Sequence, residues 1–333
     1  MQIVHERPPA AGGAVEVAAG VRWLRMPLPF ALDHVNLWLL EDGDGWTAVD
    51  TGLAVAPIRE AWSRLLGDHR LSRLIVTHYH PDHLGLADWL QQQTGAALWM
   101  AQAEYATALL LLHQVAGYGT PAMLAAFRAH GLSEPRLQKL ERQGNSYKSG
   151  VPAVPATFRP IFDAEAIRIG QHHWRVISGH GHSPDHASLA CADLGVLISG
   201  DMLLPRISTN ISSFAATPDL DPLGLFLASL ERFKALPADT LVLPSHGLPF
   251  RGLHRRVEAL RVHHARRCEV LLEACALGPK TAAELIPVLF EREIGDPFQT
   301  LFAMGEAIAH LVHMEQRGAL VRCAEKGIIR FGI

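Results

Sequence analysis

Along the chain the apolar pattern changes its period twice. Residues 15–26 alternate apolar and polar positions, the spacing of a strand with two different faces. Pro27 and Pro29 end it. Residues 35–40 predict a second strand, and residues 46–49 a third that returns beside it across the Asp- and Gly-rich turn 41–45. A helix is expected at 56–66, stopped by Gly67. A strand at 73–76, a helix at 82–93 closed by Thr94 and Gly95, and a short strand at 96–100 continue the alternation. Residues 101–143 then become Ala/Leu-rich with helical spacing and predict two or three helices, followed by a Gly-, Pro- and Ser-rich loop at 144–160. Strands return at 166–169, 174–177, 187–192 and 196–199, then a helix at 220–236 and a strand at 241–243. From about residue 253 the spacing is helical again, at 255–276, 281–291 and 298–316, before two short apolar runs at 319–323 and 327–331. Strands alternating with helices predict an α/β fold. Three helices and a hairpin are the order of a winged-helix module, with residues 324–327 as the wing.

Composition narrows the class. A chain of 333 residues is long for one core and suggests a large domain with a smaller one. Hydrophobic residues at 49% and charged residues at 19% fit a globular protein with a sizeable core. A formal net charge of -3 gives no electrostatic reason to expect nucleic acid or an anionic membrane as partner. Cys191, Cys268, Cys275 and Cys323 form no Cys-x-x-Cys pair and read as reduced thiols of a cytoplasmic protein. Residues 1–13 lack the apolar core of a signal peptide, and the run 108–112 is too short to span a bilayer.

The 19 histidines change the picture, because they cluster. His78, His80, Asp82 and His83 fall within six residues, directly after the apolar run 74–76. Neutral imidazole and carboxylate are the ligands that Zn²⁺, Fe and Mn take in hydrolytic sites. A regularity extends the cluster. Asp50, His78, the loop holding His180 and His182, Asp201 and His246 each lie at or just past the end of an apolar strand. In layered α/β proteins, loops at strand ends present side chains from a rigid sheet. Five such ends carrying His or Asp are what a metal site between two sheets requires.

Asp50-Thr51-Gly52, the segment from His78 to His83, Gly181-His182-Ser183-Pro184-Asp185-His186, Gly200-Asp201 and Ser245-His246-Gly247 resemble, in order, the five motifs of metallo-β-lactamase-fold hydrolases. The resemblance covers roughly residues 15–250. It implies a four-layer αββα sandwich, with residues 1–252 as the catalytic domain, 101–150 as a helical cap insertion and 253–333 as a winged-helix-like C-terminal domain. It also implies two divalent ions, Zn²⁺ ahead of Fe or Mn. His78, His80 and His182 would hold the first, Asp82, His83 and His246 the second, and Asp201 would bridge them. A shared carboxylate offsets the repulsion of two close cations, and water bound to Zn²⁺ deprotonates at a pH of about 7. The bridging hydroxide would be the nucleophile. Asp50 would fix a ligand tautomer by accepting an imidazole N–H, or is simply a turn residue before Gly52. The motif puts His182 on the metal and leaves His180 and His186 in supporting or structural places. His172, His173, His263 and His264 lack ligand spacing and read as surface histidines.

Two stretches bear on substrate. Residues 101–143 read as a cap over the metals or a homodimer contact, against an outlying decorative insertion. Arg206 and Asn210 follow Asp201 closely enough to reach a bound anion or carbonyl, with a surface role for Arg206 as the alternative. Tyr79 either bonds an oxyanion or packs. The expected activity is hydrolysis of a small ester, thioester or lactone with a partly apolar acyl group, Asp82 or a water passing a proton to the leaving group. The use of Asp82 and His83 is similar to glyoxalase II and the homoserine-lactone lactonases, and unlike most true β-lactamases. A phosphodiesterase or ribonuclease using the same site is the second enzymatic reading. A metal- or ligand-sensing regulator contacting DNA through the C-terminal module is the reading from another class. Residues 298–316 carry Glu306 and Glu315 with no Lys or Arg, which disfavours nucleic acid.

Overall fold

The computed structural model describes residues 1–333 apart from His69 and the side chain of Asp68. It separates into two compact units, each drawn from three stretches of chain. The first holds residues 1–112, 147–209 and 229–257, and the second residues 113–146, 210–228 and 258–333. The boundary therefore does not follow a single cut after residue 252. Most of the 101–150 stretch belongs with the C-terminal residues, and only the helix Gln102–Leu112 and the residues from Tyr147 onward stay with the sheets.

The first unit is built on two seven-stranded sheets. One runs in the order Ala14–Ala18, Val21–Pro27, His34–Asp42, Gly45–Val49, Leu71–Val76, Ala97–Ala101 and Arg159–Ile161. It starts antiparallel and turns parallel from the Gly45–Val49/Leu71–Val76 pair onward. The other runs Gln2–Ile3, Phe250–Arg251, Leu241–Pro244, Val196–Gly200, His186–Cys191, His172–Gly179 and Ala166–Ile169. Alternating residues of both sheets share one core. Trp23, Trp38, Val49 and Ile75 from the first pack with Trp174, Val176, Leu189 and Ile198 from the second. Two sheets joined through a common apolar layer, with helices in the connections, are the layered α/β architecture that the motifs imply. The central strands are buried on both faces, as strands covered on both sides must be.

The expected helix at 82–93 is two helices, Pro81–Leu84 and Ala87–Thr94. Gly85 sits at the break, where a β-carbon would meet Pro81 O at 2.5 Å, Gly150 O at 2.6 Å and Ala54 N at 2.7 Å. Backbone from three segments converges there, so only hydrogen fits. Composition also hid short elements that exist only through their partners. The strand Arg159–Ile161 and the helix Ser146–Gly150 lie in what reads as loop, and the edge pairs Gln2–Ile3 and Phe250–Arg251 bond each other.

In the second unit, the helices Thr120–Ala129, Glu134–Glu141, Ala282–Phe290 and Pro297–Gln316 enclose a separate core that includes Leu124, Phe127, Leu137, Leu285, Ala307 and Leu311. Thr281 caps Ala282–Phe290 with a reciprocal bond to Glu284. The order helix, helix, helix, hairpin is present, the hairpin Val321–Glu325/Ile328–Gly332 turning at Lys326 and Gly327, both at positive φ. One surface expectation is overturned. His264 is fully buried, its Nδ1 3.2 Å from His310 Nε2 and its ring against Phe226. It shares a helical stripe with the buried Leu260, Leu271 and Cys275, a periodicity that outweighs its polarity. Asn210 is also committed in this unit. Its amide donates to Glu306 Oε2 and its carbonyl oxygen accepts from Ser212 Oγ, so it is held by protein rather than held out to an anion.

Candidate metal centre

The site lies in the first unit, at the ends of strands from both sheets. Val49 leads into Asp50, Val76 into Thr77 and His78, Gly179 into the loop of His182, Gly200 into Asp201, and Pro244 into His246. Two groups of ligand-type atoms result. His78, His80, His182 and Asp201 form one, and Asp82, His83 and His246 the other, with the atoms of each group within 4.8 Å of one another. In the first, His78 Nε2 is 2.9 Å from His80 Nδ1 and 3.2 Å from His182 Nε2. In the second, Asp82 Oδ2 is 3.6 Å from His83 Nε2 and 3.4 Å from His246 Nε2. Asp201 faces both. Its Oδ2 is 3.4 Å from His182 Nε2, and its Oδ1 is 3.4 Å from His246 Nε2 and 3.6 Å from His83 Nε2.

The opposite nitrogen of each ring is held. His83 Nδ1 donates to Asp50 Oδ2 at 2.8 Å, and His246 Nδ1 donates to His34 O at 2.8 Å. A carboxylate and a carbonyl only accept, so both rings carry a proton on Nδ1, and Nε2 is the nitrogen turned inward. His78 Nδ1 meets Thr77 Oγ1 at 2.9 Å, His182 Nδ1 meets Thr209 Oγ1 at 2.9 Å, and His80 Nε2 meets Tyr79 OH at 3.0 Å. Thr77 spends its hydroxyl proton on Asp50, which leaves its oxygen to accept from His78. Tyr79 is thus occupied with His80.

This donor set fits divalent metal. Imidazole nitrogens stand about a hydrogen-bond length apart while the other nitrogen of each ring is engaged elsewhere. His83 Nε2 and Asp201 Oδ1 are buried without any hydrogen-bond partner. Such orphans are costly in a protein interior unless something positive sits between them.

The two groups differ electrostatically. Burial drives His78 well below the ordinary imidazole range, and His83, His80 and His182 push the same way. His80 falls to about 3, through burial and then His182. Burial would also lower His83, but Asp82, Asp50 and Asp201 overcome it and raise it to about 9. Burial opposes the rise of His246 as well, and Asp201 and Asp82 override it. Asp82 is held at about 2, since His83 and His246 outweigh the upward push of burial.

Asp50 occupies the left-handed region at φ 65°, uncommon for a residue with a side chain. There it accepts from Thr77 N at 2.7 Å and from His83. His186 is fully buried and accepts Asp201 N–H at Nε2, while His180 donates to Pro184 O at 2.7 Å and shapes its own loop. Gly200, at φ 54°, must be glycine, because a β-carbon there would stand 2.3 Å from His186 Nε2. Arg206 is exposed on the segment between Asp201 and Thr209. Arg256 clamps that segment by donating to Leu204 O and Ile207 O on either side of it.

Four supporting residues escaped the sequence reading. Thr77 and Thr209 have no motif spacing of their own. Asn36 is a polar residue inside the apolar strand His34–Asp42, a signal that was visible. It accepts from Trp23 Nε1 and donates to Pro244 O and Gly247 O, bracketing the turn that carries His246. Glu104 is a single acid in an Ala/Leu-rich helix, fully buried and raised by burial to about 7 against the pull of three donors.

Comparison with known proteins adds to this geometry. Residues 31–246 match the family model described as Metallo-beta-lactamase superfamily, and residues 268–333 the one described as Metallo-beta-lactamase-like, C-terminal domain. The chain is 46% identical to a solved beta-lactamase domain protein from Burkholderia ambifaria, covering 98% of this chain and 96% of that one with a TM-score of 0.91. It is 24% identical to the Probable metallo-hydrolase YqjP of Bacillus subtilis (strain 168), over 92% of this chain and 96% of that protein. It is 25% identical to a Hydroxyacylglutathione hydrolase of Cereibacter sphaeroides, over 66% of this chain and 64% of that protein. No helix among the described residues is long and apolar enough to cross a membrane.

Proposed function

The chain belongs to the metallo-β-lactamase superfamily, and from that premise we propose that it is a dinuclear-metal hydrolase of a small ester, thioester or lactone. The observation that carries this is Asp201, whose two oxygens divide between two clusters of inward-facing donors. His78, His80 and His182 would hold the first ion, Asp82, His83 and His246 the second, and Asp201 would serve both. Bound there, a pair of Zn²⁺ ions supplies a water acidic enough to deprotonate at a pH of about 7 and a Lewis acid for the carbonyl oxygen. The protein's own part is to keep the site rigid. Asp50, Thr77, Thr209 and the His34 carbonyl lock the ring orientations, so little reorganisation remains for the reaction. Asp82, the most accessible of the second cluster, is placed to pass a proton toward the leaving group. Arg206, exposed on a clamped segment that begins at Asp201, is assigned to an anionic group on the substrate. The relatives named Hydroxyacylglutathione hydrolase act on a thioester, which favours thioesters within the class.

Metal analysis of the purified protein, with a hydrolysis screen across thioesters, lactones, carboxyl esters and phosphodiesters, tests this reading. Two equivalents of divalent metal and turnover of a carbonyl substrate are expected, with both diminished in His80→Ala and Asp201→Ala. Full activity and metal content in both variants would refute the assignment. Preferential turnover of phosphodiesters would replace the substrate class.

A further inference from the structure

The first cluster is assembled from two loops that have no covalent reason to meet. His78 and His80 follow the strand Leu71–Val76 of one sheet, while His182 follows His172–Gly179 of the other. Three ring nitrogens nevertheless come within about a hydrogen-bond length of a common point. Some contact must set the separation of those loops at the site itself, since the shared apolar core lies behind it.

Glu104 makes that contact. It stands in the first turn of the helix Gln102–Leu112 with no exposed surface. Its Oε2 accepts from Tyr79 N at 2.9 Å, the peptide N–H between His78 and His80. Its Oε1 accepts from Ser183 Oγ at 2.7 Å and from Asp185 N at 2.6 Å, directly after His182. One carboxylate therefore spans both ligand loops. Burying a carboxylate is expensive unless several donors satisfy it, and here all three come from the two loops. A side chain whose only service was to fill the core would be apolar at this position.

We propose that Glu104 is the positioning residue of the first metal cluster, setting the distance between the His78/His80 loop and the His182 loop and thereby its affinity for a cation. The inference rests on the reading that this cluster binds metal. Glu104 touches no ligand atom and has no part in the chemistry.

Two substitutions separate position from charge and from folding. Glu104→Gln keeps the shape and can still accept from Ser183 and Asp185, but sets an NH₂ against Tyr79 N–H. Glu104→Asp keeps the charge and shortens the reach by one methylene. Both are made in the full chain and again with His246→Ala, which disables the second cluster and leaves the first to be measured alone. The readouts are Co²⁺ affinity by chelator competition, the Co²⁺ visible spectrum, and far-UV circular dichroism with thermal melting of the metal-free protein. Glu104→Gln and Glu104→Asp are each expected to keep the native dichroism while weakening the first site by about ten- to a hundredfold, the usual effect of losing a partner that orients a metal site. The Co²⁺ spectrum should change with them. Three results overturn the proposal: a lower melting temperature with unchanged affinity and spectrum, wild-type affinity in Glu104→Asp, or wild-type affinity in Glu104→Gln. If the unsubstituted chain binds no metal, the reading of the site falls first and the proposal with it. If it binds two ions and the Glu104 variants match it, only the proposal falls.

Discussion

Asp50→Asn isolates one hydrogen bond of the centre with little disturbance to the backbone. Position 50 is left-handed, a conformation asparagine tolerates well, so the turn survives. What changes is chemical. The carboxylate accepts from Thr77 N at 2.7 Å through Oδ1 and from His83 Nδ1 at 2.8 Å through Oδ2. An amide has one acceptor oxygen for these two donors and for the Thr77 hydroxyl, which also bonds the carboxylate. If its oxygen faces Thr77, its NH₂ faces His83, which can then keep its last proton only on Nε2 and has no lone pair to offer toward Asp82 and Asp201. If its oxygen faces His83, a buried N–H of Thr77 is left against another donor, at a cost of about 1–3 kcal/mol. The expected result is a second-cluster affinity lower by about ten- to a hundredfold, which is about 1.4–2.7 kcal/mol at the usual conversion. Chelator competition on the purified variant measures it, with circular dichroism to confirm the fold. Asp50→Ala is expected to do worse, adding backbone strain to the lost acceptors. An Asp50→Asn protein that binds both ions with unchanged affinity would refute the tautomer argument.

Metal binding should release protons from the second cluster. Without metal, His83 at about 9 and His246, also raised, are protonated at pH 7, whereas His78 and His80 are neutral there. Affinity for the second ion should therefore climb from pH 7 toward pH 9 as those protons leave unaided, while His78 and His80 have no proton to lose over that range. Calorimetry in buffers of different ionisation enthalpy counts the protons, and zero release at pH 7 would contradict the assignment. Asn36→Ala leaves Trp23 Nε1, Pro244 O and Gly247 O without their partner. A loss of at least about 2 kcal/mol in denaturant titration is expected, together with weaker second-ion binding; a loss under about 1 kcal/mol would show the bracket to be dispensable. Arg206→Ala should raise KM for anionic substrates while leaving kcat and metal content near the parent values, and an equal effect on a neutral ester would remove Arg206 from substrate recognition.

Much of this protein was legible in its sequence because the signals are local. The period of two that marks the strands, the Asp- and Gly-rich turn at 41–45 and the density of imidazole from His78 to His83 depend only on neighbours in the chain. They were enough to place Asp50, His78, His182, Asp201 and His246 at the ends of strands, and to set out which motif residues to look for. Other features depend on which segments meet. The split of the 82–93 helix follows from three backbone segments converging on Gly85. The burial of His264 follows from helices packing around it, and the place of residues 113–146 beside the C-terminal residues follows from a core they share. Asn36, Thr209 and Glu104 act on residues distant from them in sequence, so no pattern along the chain could assign them a partner. The residue types able to hold a metal are a property of the sequence by itself. Their orientation was decided by tertiary structure, because a ring's inward nitrogen is chosen by the partner of its other nitrogen, and three of those partners, Asp50, Thr209 and the His34 carbonyl, come from other strands and loops.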